Sequence, residues 1–134
     1  GALDATRAAL TDEQIAFLHE NPPTVQIGDV LYCHATPRND VDIFTERTPE
    51  EPLIPIFAGV EAAVVVCGHT HMQFERTIAG KRVINAGSVG MPYEDEPGAY
   101  WLLDLGHRRT EYAGAALDGP SREEALSLFT ERGL

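Results

Sequence analysis

The chain has 134 residues, 43% of them hydrophobic and 7% aromatic, with a formal net charge of −11. That composition suits one globular domain spanning residues 1–134 with a real core, and excludes a disordered segment. So acidic a surface excludes binding to a nucleic-acid backbone through its phosphates, yet leaves room for one small phosphate beside a bound metal.

The N-terminal "GALDATRAAL" has no basic stretch followed by an apolar one, so no signal peptide is expected and a cytoplasmic location is. "LTDEQIAFL" opens a helix. Thr11 caps it, Gln14 completes a capping box, and Leu10 with Ile15 fits a hydrophobic staple. "NPP" at 21–23 stops it. "TVQIGDVLYCH" reads as two short strands around a Gly28-Asp29 turn, ending at His34. "ATPRND" is a loop, and the prolines of "TPEEPLIPIFAGVEA" indicate an irregular segment leading into a short helix. The uninterrupted "AVVVCG" is expected to be a strand buried on both faces, too short to span a bilayer. "FERTIAGKRVIN" is a hairpin, "AGSVGMPYEDEPG" a long loop, and "AYWLLDL" with "RRTEYA" a second hairpin around Gly106. "GPSREEALSLFTERG" closes as a helix, with Ser121 as N-cap, Glu124 completing the box and Gly133 just past the end. Cys33 and Cys67, both in apolar runs, are expected to be reduced and buried, pointing away from the histidines beside them. A redox pair would require their strands to lie close together.

The stretch with chemistry in it is "VVVCGHTHMQF". A turn at the end of a strand does not need two imidazoles. On an extended segment, side chains two apart share a side, so His69 and His71 project together. Neutral imidazole is a common ligand of divalent transition metals. His34 also ends a strand. If the two strands are neighbours, all three histidines converge at one sheet edge, where α/β sites collect. His19, near a helix end, and His107, in an expected hairpin turn, read as ordinary surface histidines. The metallo-β-lactamase pattern H-x-H-x-D-H fails, because Gln73 and Phe74 stand where Asp and His are required. A cupin reading finds only Glu75 as a faint match and lacks a second histidine motif.

Taken in order, "CHATPRND", "VVVCGHTHMQF", "RVINAGSVGMPY" and "PGAYWLLDL" resemble the C-terminal half of a calcineurin-like metallophosphoesterase, in its small bacterial phosphodiesterase-like branch. The resemblance runs from about Leu10 to Leu105; Ala35 departs from it, where the family often has glycine. It implies an α/β (α+β) fold: the C-terminal half of a four-layer α/β/β/α sandwich with a two-metal site at the sheet edge. It implies that His34 and His69 ligate one metal and His71 the other; the metal stays open, since nitrogen and oxygen ligands accommodate Mn, Fe, Zn or Ni. Such a pair sits about 3.5–4 Å apart, activates water and clamps a phosphoryl group for in-line attack. The implied substrate is a phosphorylated small molecule or other phosphoester.

The family's upstream motifs, D-x-H, G-D-x-x-D and G-N-H-[DE], do not occur in the chain, and Gly28-Asp29 reads as a turn. The acidic ligands and the histidine that protonates the leaving group would lie there, so no catalytic residue is expected in this chain. The expectation is a partial domain that holds at most one ion weakly, with little activity alone. Its exposed sheet should favour self-association. The alternative is a non-enzymatic metal-binding or interaction module. Of the remaining polar residues, Arg38 is a candidate phosphate contact, and Asn85 and Ser88 are candidates for supporting the metal-ligand loop. The run Glu94-Asp95-Glu96 reads as a solvated loop.

Overall fold

The structure is a computed structural model and describes residues 2–88, 91–94, 99–101, 107–109 and 120–133. In chain order the elements are α1 (Ala2–Ala9), α2 (Asp12–Glu20), β1 (Thr24–Ile27), β2 (Val30–Cys33), α3 (Ile54–Phe57), β3 (Val64–Cys67), β4 (Gln73–Ile78), β5 (Lys81–Ala86), β6 (Ala99–Trp101), β7 (His107–Arg109) and α4 (Arg122–Arg132). None of the described helices is long and apolar enough to cross a membrane.

Five strands form one mixed sheet in the order β1-β2-β3-β5-β4. The central β2-β3-β5 ladder is parallel, and antiparallel hairpins add β1 and β4 at the two edges. This is the α/β class expected. β6 and β7 pair separately and antiparallel, with Trp101 opposite His107. His107 therefore begins a strand rather than sitting in the turn. The other residues of that hairpin lie outside the described set.

Local chemistry sets most boundaries. Thr11 and Gln14 exchange backbone and side-chain hydrogen bonds at the start of α2, as Ser121 and Glu124 do at the start of α4. The β4–β5 turn needs positive φ at both central residues, +49° at Ala79 and +75° at Gly80. Asp29 is structural as well as a turn residue. Its side chain accepts from the Ala63 N–H and its carbonyl from the Val64 N–H, which fixes the start of β3 against β2. α1 was not anticipated, although its alanines, leucine and arginine are good helix formers.

The core lies on one face of the sheet. Val65, Cys67, Phe74, Ile78 and Val83 pack there with Phe44, Leu53, Ile56 and Phe57, and with Ala125 and Leu126 of α4. Phe44 meets Phe57 and Phe74 edge to face, at centroid distances of 5.7 and 5.6 Å. β3 departs from expectation here. Val65 and Cys67 are buried, but Val64 and Val66 on the opposite face are only half-buried. The strand is apolar on both faces while its surroundings cover just one fully. Apolar side chains are also exposed on α2, at Phe17 and Leu18, and on β1, at Val25 and Ile27.

The loop after His34 is held from within. Asp42 accepts from Thr36 Oγ1, Arg38 Nε and Nη2, and Asn39 Nδ2 at 2.7–3.0 Å. Burial pushes its carboxyl up, yet these hydrogen bonds outweigh burial and keep it below its ordinary value. Further along, Arg76 Nη1 donates to the carbonyls of Thr45, Glu46 and Thr48.

Candidate metal centre

β2 and β3 run side by side in parallel, with Tyr32 opposite Val66. The ladder continues past both strand ends, because the Gly68 N–H donates to the His34 carbonyl at 2.8 Å. This one bond brings the two histidine-bearing loops together. His34 Nε2 lies 3.0 Å from His69 Nδ1, and the rings meet at a centroid distance of 4.9 Å and an angle of 66°. Two nitrogens bonded at about 2.1 Å to one ion, at about a right angle, are themselves about 3.0 Å apart. In the metal-free chain the same contact is a hydrogen bond between the rings, and the two imidazole nitrogens are a donor set that suits a divalent transition metal.

The backbone reaches this arrangement by a route other than the extended segment inferred from H-x-H. His69 has φ +70° and His71 φ +58°. The Thr70 N–H donates to the Gly68 carbonyl at 2.8 Å, closing a three-residue turn centred on His69. A γ-turn with positive φ is the rare, strained kind. Gly68 is not the pivot: a side chain there would meet only ordinary contacts with the carbonyls of His34 and Gly87. The strain falls on the histidines themselves.

Asn85 holds that turn. Fully buried, it donates Nδ2 to the Gly68 carbonyl at 2.7 Å and to Thr70 Oγ1 at 3.0 Å, and its Oδ1 accepts from the Gly87 N–H at 3.0 Å. Gly87 has φ +71°, and a β-carbon there would fall 2.6 Å from Gln73 Cγ, so the position demands glycine. Among the described residues Ser88 makes no such contact; it accepts from the Met91 N–H and closes a local turn.

His71 stands apart from the close pair, yet its charge reaches His69. Burial first, then the positive charges of His34 and His71, push His69 below the ordinary imidazole value, with Asp40 opposing them. A lowered pKa means that folding favours the neutral ring. As pH falls through the ordinary imidazole range, protonating His69 costs stability. We expect an NMR titration of the metal-free protein to place the His69 midpoint below that of a free histidine; a midpoint at or above that value would contradict this packing. Among the described residues, no group of three or more His, Cys, Asp and Glu is placed to hold one ion.

Two residues escaped the sequence reading. Asp40 is the carboxylate whose charge reaches His69, and only the folding of the loop brings it there. Glu94, expected in a solvated run, turns inward: it accepts from the Gln73 N–H, while its other oxygen is buried with no hydrogen-bond partner among the described residues. The neighbouring Tyr93 N–H donates to the His71 carbonyl at 3.2 Å. Arg38 is tied to Asp42 and lines a shallow groove of about 470 Å³, together with Leu31, Pro37, Ile56, Val60 and Glu61. None of the three histidines lines that groove. Cys33 and Cys67 point to the core side as expected. Burial pushes the Cys33 thiol up to about 11; burial, and then the nearness of Cys33, push Cys67 higher still.

Comparison with known proteins agrees with this fold. A crystal structure of a metallophosphoesterase from Sphaerobacter thermophilus superposes with a TM-score of 0.57 at 20% sequence identity, over 79% of this chain and 55% of that one. The chain thus spans about half the length of that relative. No curated protein matches the sequence. The model of the calcineurin-like phosphoesterase superfamily domain matches residues 3–108, and on that extent this chain belongs to the calcineurin-like phosphoesterase superfamily.

Proposed function

We propose that this chain carries the histidine side of a two-metal phosphoesterase centre, with His34 and His69 sharing one ion and His71 serving the other. The observation behind this is the 3.0 Å approach of His34 Nε2 to His69 Nδ1 at the ends of adjacent parallel strands. Bound divalent ions would supply Lewis acidity and an activated water for attack on a phosphoester. The chain's own residues orient the ligands. Asn85 fixes the turn at His69, and the Asp42 network fixes the loop at His34. In this proposal Arg38 reaches a phosphate through Nη1, the guanidinium nitrogen with no bond to Asp42.

Three neutral imidazoles do not offset the charge of two dications, so carboxylate ligands from further sequence complete the centre. Taken alone, the chain binds one Mn²⁺, Fe²⁺, Zn²⁺ or Ni²⁺ weakly and hydrolyses little. Calorimetry with Mn²⁺ or Zn²⁺ should show a single weak site; two tight sites would overturn the assignment. Supplying a polypeptide with the D-x-H, G-D-x-x-D and G-N-H motifs should produce metal-dependent hydrolysis of bis-p-nitrophenyl phosphate, lost again on His34→Ala. Weak metal binding without restored hydrolysis would leave a non-enzymatic metal-binding or interaction module.

The exposed apolar side chains of α2 and of the edge strand β1 also support self-association of the isolated chain. Light scattering at rising concentration should show dimers or larger species.

A further inference from the structure

Two thiols lie beside the paired histidines, and the metal chemistry does not use them. Tyr32 is opposite Val66 in the parallel ladder, and the Gly68-to-His34 hydrogen bond continues it, so Cys33 and Cys67 occupy the rung between. Residues in register on neighbouring strands project to the same face, with backbones about 4.8 Å apart. The core contacts agree. Cys67 is buried within the core cluster, Cys33 packs against the same cluster, and both are free. A disulfide joins α-carbons about 4.4–6.8 Å apart, and one rung of a sheet falls inside that window. Cys33 is half-buried and open to a small oxidant, while Cys67, only 3% exposed, is screened from it.

We propose that Cys33 and Cys67 form a reversible disulfide site, closed by a peroxide and reopened by a small thiol, that couples oxidation to the setting of His34 and His69. In the first step the Cys33 sulfur attacks hydrogen peroxide. An S–O bond forms, the O–O bond breaks, and the distal oxygen leaves as water with the thiol proton. In the second step the Cys67 sulfur attacks the Cys33 sulfenic acid. An S–S bond forms, the S–O bond breaks, and the hydroxide leaves as water with the Cys67 proton. Overall, two thiols are oxidised and one peroxide is reduced to two waters. Burial keeps both thiols protonated, so the attacking thiolate is scarce and the first step is slow at neutral pH. His34 follows Cys33 directly and His69 is two residues past Cys67, so a covalent bridge across this rung alters the gap between the two rings.

The proposal is read on sulfur and therefore does not depend on the phosphoesterase assignment. The purified chain is treated with hydrogen peroxide and analysed by intact mass and by peptide mapping without reductant. The expected result is a monomer lighter by two hydrogens, with the Cys33 and Cys67 peptides cross-linked, and full recovery on adding glutathione. Ring resonances of His34 and His69 should move on oxidation while those of His19, out on α2, stay in place. Cys67→Ser should instead gain oxygen at Cys33. If that variant does not fold, the wild-type peptide map decides alone. Oxygen on Cys33 without a cross-link in the wild type, or cross-links only between chains, would overturn the site. A cross-link that leaves the histidine resonances unmoved would overturn the coupling.

Discussion

Asn85→Leu is expected to destabilise the protein by about 3–5 kcal/mol, the largest effect of any single substitution near the site. Leucine is similar in size, so volume is not the issue. The loss is of partners: the Thr70 hydroxyl and the Gly87 N–H lose the side chain they bond, and the Gly68 carbonyl keeps only the Thr70 N–H. Each orphaned buried group costs about 1–3 kcal/mol. Against a total stability of about 5–15 kcal/mol, the variant is left marginal or unfolded. Asn85→Asp tests the same point differently. It keeps the acceptor for Gly87 but places an oxygen where Nδ2 now donates, so it should also be severely weakened. Urea unfolding measures both; a change under about 1 kcal/mol for Asn85→Leu would show that the turn does not depend on this brace.

The second large effect has two opposite signs. His69→Gly should abolish metal binding and yet leave the fold about 1 kcal/mol more stable than His69→Ala. Both variants remove the ring. Only glycine relieves the backbone at φ +70°. Because glycine also loosens the unfolded chain, the comparison with alanine, rather than with the parent, isolates the strain. For a chain of this size the difference is a few degrees in Tm. Finding the alanine variant equally stable would remove the argument for strain, while retention of metal binding by either variant would remove His69 from the ligand set.

What could be read in advance was local chemistry. The capping boxes at Thr11 and Ser121 involve residues three apart, so no tertiary information is needed to see them. The turns at Gly28 and Gly80 are equally local, and the apolar run ending at Cys67 announces its strand. The site was legible in its residue types but not in its backbone. H-x-H suggested an extended segment, whereas the grip of Asn85, 16 residues beyond His69 in the chain, bends those residues into a left-handed turn. Nor does any spacing announce that Asp40 approaches His69, that Glu94 folds inward, or that Arg38 closes on Asp42 instead of standing free. Each depends on where a loop lies against other elements. The half-covered face of β3 escaped for a related reason: a sequence shows that Val64 and Val66 are apolar, not what covers them.

The clamping of residues 36–48 by Asp42 and Arg76 sets one wall of the proposed ion site in advance. The wall behind His34 is rigid before any ion arrives, so loading freezes little extra chain there and amide exchange along it should hardly slow. The turn at His69, braced by Asn85, is held in the same way, so a centre built on these histidines would discriminate between ions of different radius.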